Sequence, residues 1–224
     1  MKNKIHVMIM DDHQGIVDGY RYRLSMVPNI EVVGTLSYGE ELEPALKENA
    51  VDVLILDVEV PASPNNPNAY PILHAIPKLL QQYPELMVLV ISVHSEPGLI
   101  RAVVNAGAAG YIFKGDSRRI QELGKWISAL ADGEICFSEK ALEAIVGRKD
   151  EPFTPRQLEA LSLCASYPNS KTAELARKMK IADSTLRNLL STVYFKLGVQ
   201  TRAAAIAKAR QIGILTSDPT MAQL

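Results

Sequence analysis

Acidic, hydroxyl and amino side chains stand at the ends of four separate apolar runs in this 224-residue sequence. They are Asp11-Asp12, Asp57, Ser92 and Lys114. If these runs are strands of a parallel sheet, their carboxyl ends meet at one edge, where the functional sites of such sheets lie. We therefore expect three carboxylates, a hydroxyl and an ammonium group in one site.

The charges of this set indicate the chemistry. Three gathered carboxylates repel one another unless a divalent cation joins them, and a site made only of oxygen ligands suits Mg²⁺. A carboxylate supported in this way can accept a phosphoryl group as an acyl phosphate. Mg²⁺ and Lys114 would then neutralise the phosphoryl oxygens, and Ser92 would donate one more hydrogen bond to them.

The elements that must position these residues fill the first half of the chain. Near-continuous apolar runs predict strands that are buried on both faces of a sheet. The predicted strands are Lys4–Met10, Ile30–Leu36, Val51–Asp57, Met87–Ser92 and Gly110–Phe113. Helical patterns separate them near 14–26, 39–49, 69–83, 96–106 and 117–131. This alternation predicts an α/β fold with a five-stranded, doubly wound parallel sheet.

The second half has no strand signals and predicts a small all-α domain. Thr154-Pro155-Arg156-Gln157 has a capping Thr, a Pro at the first helical position and a Gln at the third. Helices are predicted near 155–166, 170–179, 184–197 and 201–211. We expect domain limits of 1–131 and 153–214, a linker with a short helix over 132–152, and a frayed tail over 215–224.

Composition indicates the compartment. The sequence is 47% hydrophobic and 22% charged, which is typical of soluble globular proteins. No apolar run approaches the roughly 20 residues of a membrane helix, and no signal peptide is evident. Cys136 and Cys164 lack metal-ligand spacing, so a reducing, cytoplasmic setting without a membrane partner is expected.

The net charge of −1 conceals an asymmetry along the chain. Residues 1–151 contain 14 Lys and Arg against 21 Asp and Glu, a net charge of −7. Residues 152–212 contain 10 against 3, a net charge of +7. An excess of this size over about 60 residues is typical of a nucleic-acid-binding module.

The predicted helix 184–197 has two unlike faces. Leu186, Leu190 and Val193 are spaced for burial, and polar side chains lie on the other side. Such a polar face suits a helix that enters the major groove of double-stranded DNA, with cations nearby for the phosphates. The candidate DNA-binding residues are Lys171, Thr185, Arg187, Asn188, Ser191 and Lys196.

Residues 1–131 resemble the receiver domain of response regulators. The resemblance rests on the ordered motifs Met10-Asp11-Asp12, Leu56-Asp57, Ile91-Ser92 and Gly110-Tyr111-Ile112-Phe113-Lys114. It implies that Asp57 is the phosphoacceptor and that a sensor histidine kinase is the phosphodonor. It also implies that Asp12 and Asp57 bind Mg²⁺ directly, Asp11 largely through water, and Glu59 through its backbone carbonyl.

The same resemblance implies a switch. Ser92 senses the phosphoryl group together with Lys114, and Tyr111 turns inward when Ser92 moves. Such a protein is not an enzyme beyond catalysing its own phosphoryl transfer and hydrolysis. His13 and His94 flank the site without ligand spacing, and we expect them to be solvated or hydrogen-bonded.

The second half resembles the LuxR-type helix-turn-helix domain of NarL/FixJ-type regulators. The matching motifs are Phe153-Thr154-Pro155-Arg156-Gln157, Thr185-Leu186-Arg187-Asn188 and Lys196-Leu197-Gly198-Val199-Gln200-Thr201-Arg202. The resemblance implies a four-helix domain whose third helix reads DNA. It also implies that the fourth helix, with its alanine-rich run, supports a homodimer of the active protein.

One departure from the receiver pattern keeps alternatives open. The segment 58–68 after Asp57 is long, rich in proline and without glycine, so the third helix is expected to begin late. A regulator of the same architecture that is not controlled by phosphorylation is therefore the first alternative. The second is a phosphatase with an aspartyl nucleophile, since Asp57-Val58-Glu59-Val60 is distantly similar to the haloacid-dehalogenase motif.

Overall fold

The computed structural model describes residues 4–146 and 153–216. The strands are β1 (Ile5–Met10), β2 (Ile30–Leu36), β3 (Val53–Leu56), β4 (Pro61–Ser63), β5 (Asn66–Ala69), β6 (Met87–Ser92), β7 (Gly110–Phe113) and β8 (Cys136–Phe137). Six of them form one parallel sheet in the order β2-β1-β3-β6-β7-β8. The remaining two, β4 and β5, form an antiparallel hairpin.

Helices flank the sheet and form the C-terminal part of the described chain. They are α1 (Gln14–Ser25), α2 (Leu42–Glu48), α3 (Ile72–Gln82), α4 (Pro97–Asn105), α5 (Ser117–Gln121), α6 (Leu123–Ala131), α7 (Glu139–Val146), α8 (Pro155–Ser166), α9 (Thr172–Lys178), α10 (Asp183–Leu197) and α11 (Arg202–Gln211). A 3₁₀ turn, Gly39–Glu41, precedes α2.

The sheet has a hydrophobic core on each face. In β1, Val7 and Ile9 belong to the core with α1 and α6, whereas Met8 and Met10 belong to the core with α2, α3 and α4. Both sets of side chains are fully buried, which is why the strands appear in the sequence as continuous apolar runs. The predicted doubly wound α/β fold is therefore confirmed.

The structure corrects the prediction in three places. The sheet has a sixth strand, β8, whose two residues are too few to give a periodic signal. The predicted helix 117–131 divides at Glu122, which leaves helical geometry with φ −93° and ψ 15°. Residues 61–68, expected to lie in a loop, and Ala69, the predicted start of a helix, form the β4–β5 hairpin. The late start of α3, at Ile72, agrees with the expectation.

Tyr70 fixes the end of this hairpin by packing its ring on Gly39. A Cβ atom at Gly39 would overlap the Cγ and Cδ2 atoms of Tyr70, which lie too near the backbone to swing away. Gly39→Ala should therefore destabilise the protein by about 1–3 kcal/mol, the usual cost of overpacking. Urea unfolding followed by circular dichroism measures this change.

Gly19→Ala is the matched control for this substitution. Gly19 lies inside α1 with open space around its Cα, so alanine should stabilise the helix by roughly 0.5–1 kcal/mol. Equal unfolding midpoints for the two variants would show that the Tyr70 ring does not constrain Gly39.

The C-terminal part is a helical domain built from α8 to α11. Thr154 caps α8 as predicted: its Oγ1 accepts from the Gln157 amide at 3.3 Å, and Gln157 Oε1 accepts from the Thr154 amide at 3.0 Å. At the end of α10, Gly198 adopts the left-handed conformation with φ 67°, which favours glycine. Leu186, Leu190 and Val193 of α10 are buried, as their spacing predicted.

The helical domain packs on the sheet domain chiefly through α8, which lies against α3 and β5. Leu215 is only 9% exposed, so the predicted frayed tail does not begin at 215. The short helix predicted within the linker 132–152 is α7, which packs on α4. Residues 147–152 of that linker and residues 217–224 of the tail lie outside the described residues.

Within the described ranges, none of the helices has the length and apolar character needed to cross a bilayer. Both cysteines are free thiols.

Candidate functional site

Backbone hydrogen bonds between strands bring the predicted carboxylates to one edge of the sheet. The Asp11 amide donates to the carbonyl of Leu36 at 3.1 Å, and the Asp57 amide donates to the carbonyl of Met10 at 2.9 Å. Both residues directly follow central strands, β1 and β3. Asp11 is 2% exposed and Asp57 is 4% exposed, whereas Asp12 is exposed at the mouth of the site.

Lys114 joins the two buried carboxylates. Its amide is fixed by a 2.7 Å bond to the Ser92 carbonyl. Its Nζ donates to Asp11 Oδ2 at 2.7 Å and to Asp57 Oδ2 at 2.8 Å. The predicted meeting of the four strand ends is therefore present in the structure.

The site has more negative charge than its cation compensates. Oxygen atoms of Asp11, Asp12 and Asp57 and a nitrogen of His13 lie within 4.8 Å of one another, the one such cluster found among the described residues. Burial raises the pKa of Asp57, and the Lys114 ammonium offsets this only in part. Two buried carboxylates and a third nearby thus share one ammonium, and this donor set is compatible with a divalent cation.

The switch residues predicted from the sequence lie beside this cluster. Ser92 is fully buried, and its Oγ accepts from the His94 amide at 3.2 Å. Tyr111 is also fully buried, and its hydroxyl donates to the His94 carbonyl at 2.8 Å. The resemblance implied that Tyr111 turns inward when Ser92 moves, yet here the ring is already inward.

His94 makes further contacts that the sequence reasoning did not assign. Its Nε2 lies 2.8 Å from Glu59 Oε1, and its Nδ1 lies 3.3 Å from Glu96 Oε2. Burial alone would lower the pKa of His94, but the two carboxylates outweigh this effect and the pKa is raised. The pKa of Glu59 is lowered, mainly by its contact with His94.

A signal for this contact exists in the sequence. Glu59 and His94 each stand two residues past a predicted site residue on neighbouring strands, and neighbouring strand ends meet at one edge. The side chain of Glu59 is therefore turned toward His94. The metal-binding role of its backbone carbonyl stays a prediction.

The predicted DNA-binding residues are found on and around α10. Thr185, Arg187, Asn188 and Ser191 are exposed, and Arg187 pairs with Asp183 one turn earlier. Together they form one polar face on the side away from the buried leucines. The main packing partners of α10 are α8, α9 and α11 of its own domain.

The two predicted lysines have other neighbours. Lys196 Nζ donates to Gln157 Oε1 at 3.0 Å and lies 5.6 Å from the Phe153 ring centroid, so it also holds the start of α8. Lys171 is exposed, and its amide donates to Glu174. Leu189, on the same helix, is partly buried and packs on the core.

The chain is similar to known proteins along most of its length. The family model described as the response regulator receiver domain matches residues 7–123. The transcriptional regulatory protein DesR of Bacillus subtilis is 27% identical over 209 residues, which cover 93% of this chain and 98% of DesR. The response regulator UvrY of Escherichia coli K12 is 28% identical over 204 residues, covering 87% of this chain and 88% of UvrY.

A solved structure has the same fold along the chain. The RcsB response regulator of Salmonella typhimurium superposes with a TM-score of 0.65 at 24% identity, covering 94% of this chain and 99% of RcsB. The likeness to response regulators that the sequence motifs indicated is thereby confirmed. The chain belongs to the response regulator receiver family.

Proposed function

We propose that the protein is a DNA-binding transcriptional regulator controlled by phosphorylation of Asp57. The observation that carries this proposal is the placement of Asp57 at the sheet edge, clustered with Asp11 and Asp12 and bonded to Lys114. The same chain continues into a basic helical domain with an exposed polar helix face. In this proposal residues 1–131 form the receiver domain and residues 153–214 the DNA-binding domain.

The receiver residues would carry out phosphoryl transfer from a sensor histidine kinase. An Asp57 carboxylate oxygen attacks the phosphorus of a phosphohistidine, the P–N bond breaks, and the histidine leaves as the phosphorus–oxygen bond forms. Lys114 neutralises charge on the phosphoryl oxygens, and the Ser92 hydroxyl donates to one of them. No enzyme activity beyond this transfer and its hydrolysis is proposed.

Mg²⁺ is the cofactor that this donor set suits best, because its ligands are mainly carboxylate oxygens. Asp11, Asp12 and Asp57, with the backbone carbonyl of Glu59, would hold it. When bound, it would neutralise the phosphoryl oxygens and the three carboxylates.

Two copies of the active protein would bind paired half-sites on double-stranded DNA. The alanine-rich run 203–209 was expected to serve this dimer, but Ala205 and Ala209 are buried within the domain. Only Ala203 and Ala207 of the run are exposed. The contact between copies would therefore use this narrower exposed stripe of α11.

Since the proposed target of the protein is bacterial DNA, we place the protein in the cytoplasm.

Treatment of the full chain with acetyl phosphate and Mg²⁺ should raise its affinity for DNA at least several-fold. Phosphorylation shifts the population toward a state with freer DNA-binding domains. Duplexes would first be selected from fragmented genomic DNA, and affinity would then be measured by fluorescence anisotropy. Asp57→Asn is the control and should not respond.

Full labelling of Asp57 with unchanged DNA affinity would contradict phosphorylation control. It would favour the regulator of the same architecture that is not governed by phosphorylation. Absence of DNA binding in every state would reject the proposed function.

A further inference from the structure

The β4–β5 hairpin joins the phosphoacceptor site to the helical domain. It starts four residues after Asp57 and contacts the last residue of α8. We propose that this hairpin transmits the state of Asp57 to α8 and holds the DNA-binding domain in place until Asp57 is phosphorylated. The inference rests on the proposed function, since it needs phosphorylation of Asp57.

The near end of the hairpin is fixed to the phosphoacceptor. The Val58 amide donates to Asp57 Oδ1 at 2.7 Å, while Lys114 binds Oδ2. Val58 and Val60 are buried in the core, so they cannot move without moving the chain that follows. Phosphorylation converts the carboxylate into an acyl phosphate, so the two carboxyl oxygens lose the negative charge that both contacts use, and Lys114 gains anionic phosphoryl oxygens to bind instead. The charge-assisted bonds at this end must therefore change.

The body of the hairpin is stiff enough to carry a displacement. Its strands pair Pro61 with Ala69 and Ser63 with Asn66, and the Tyr70 amide donates to the Val60 carbonyl at 2.8 Å. Three prolines lie within residues 61–67, and each fixes its own φ. A shift at Val58 is thus passed along the hairpin rather than absorbed by flexible backbone.

The far end of the hairpin contacts the C-terminal end of α8 through two hydrogen bonds. Asn66 Nδ2 donates to the Ser166 carbonyl at 3.0 Å, and Ser166 Oγ lies 2.5 Å from the Ala69 carbonyl oxygen. The last carbonyls of a helix lack partners within it, so Asn66 supplies one that water must otherwise provide. Asn66 is itself oriented, because its Oδ1 accepts from Asn68 Nδ2 at 2.8 Å.

A second bond holds α8 nearer its other end. His74 Nδ1 on α3, the helix that follows the hairpin, lies 2.7 Å from Glu159 Oε1, and both side chains are largely buried. Segment 57–74 therefore runs from the phosphoacceptor to two separate points on α8. The proline-rich insertion, which the receiver pattern does not explain, has a position that suits this link.

Hydrogen–deuterium exchange of the full chain, with and without acetyl phosphate and Mg²⁺, tests the inference. In the wild type, phosphorylation should speed amide exchange in residues 61–69 and 162–166 by roughly fivefold or more, the factor typical of one lost hydrogen bond. Asn66→Asp keeps the size of the side chain but removes its donor. This variant should exchange fast without acetyl phosphate and gain little from it, while Asp57 is still labelled.

Two further variants separate a broken contact from a damaged hairpin. Ser166→Ala leaves the hairpin sequence intact and should reproduce the effect of Asn66→Asp in α8. Asn65→Ala is the matched control, because this exposed asparagine lies in the turn of the hairpin and should respond as the wild type does.

The outcomes are distinguishable. Normal labelling of wild-type Asp57 with unchanged exchange in both regions would overturn the inference alone, as would a wild-type response in both Asn66→Asp and Ser166→Ala. A wild type that acetyl phosphate does not label would overturn the proposed function, and this inference with it.

Discussion

Asp57→Asn abolishes labelling of the protein by acetyl phosphate and Mg²⁺, an all-or-none change that intact-mass spectrometry detects. Asp11 and Asp57 both follow central strands and contact Lys114, but only Asp57 follows β3, the strand that pairs with β6, which ends at Ser92. The carboxamide of Asn has no anionic oxygen to attack phosphorus, although it keeps the shape of the side chain. The loss of label should therefore occur without loss of fold.

Asp18→Asn is the control for this experiment. Asp18 is an exposed acid on α1 that accepts from Gln14 at 2.8 Å, so its replacement should leave labelling as in the wild type. If Asp57→Asn were labelled to the same extent as the wild type, a residue other than Asp57 would be the phosphoacceptor. Asp11 and Asp12 would be the next candidates.

The sequence was most informative where burial and chemistry coincide. The central strands are buried on both faces, so their apolar runs located them to within a residue or two. Each polar residue that interrupted a run, such as Asp57 or Lys114, then marked a strand end. Because a parallel sheet brings the carboxyl ends of its strands to one edge, the polar residues at those ends could be predicted to lie in one site.

The same reasoning could not predict the β4–β5 hairpin. Residues 61–69 contain three prolines and three asparagines, which disfavour strands, and their pairing is stabilised by tertiary contacts with Gly39 and Ser166. No local sequence pattern indicates such tertiary contacts. The β8 strand was missed because two residues cannot show a period.

The role of His94 was missed for a different reason. The equal offsets of Glu59 and His94 from Asp57 and Ser92 become informative only once their strands are known to be neighbours, and nothing local to His94 identifies Glu59 as a partner of its ring beside Glu96. In the structure His94 links Ser92 and Tyr111, which contact its backbone, to Glu59, which contacts its ring. The predicted switch residues and the chain that leads into the hairpin therefore share one largely buried imidazole.

Arg187→Ala should weaken binding to the selected DNA by about 1–3 kcal/mol, roughly 5- to 150-fold. Arg187 is 70% exposed in the first half of α10, the part of a recognition helix that contacts base edges. Its ion pair with Asp183 is a surface pair one turn apart, worth only about 0.3–0.5 kcal/mol, so stability should hardly change. Fluorescence anisotropy on the full chain, treated with acetyl phosphate, gives the affinity.

The dependence of this affinity on salt separates two roles for Arg187. If its guanidinium reads a base, Arg187→Ala relaxes the preference at one position and leaves the salt slope nearly unchanged. If it binds a phosphate, Arg187→Ala lowers the salt slope by about 1 and weakens binding to all DNA sequences alike. Lys125→Ala is the matched control, because it removes one exposed cation from α6, far along the chain from α10. An Arg187→Ala protein that binds as tightly as Lys125→Ala would show that α10 does not read DNA through this residue.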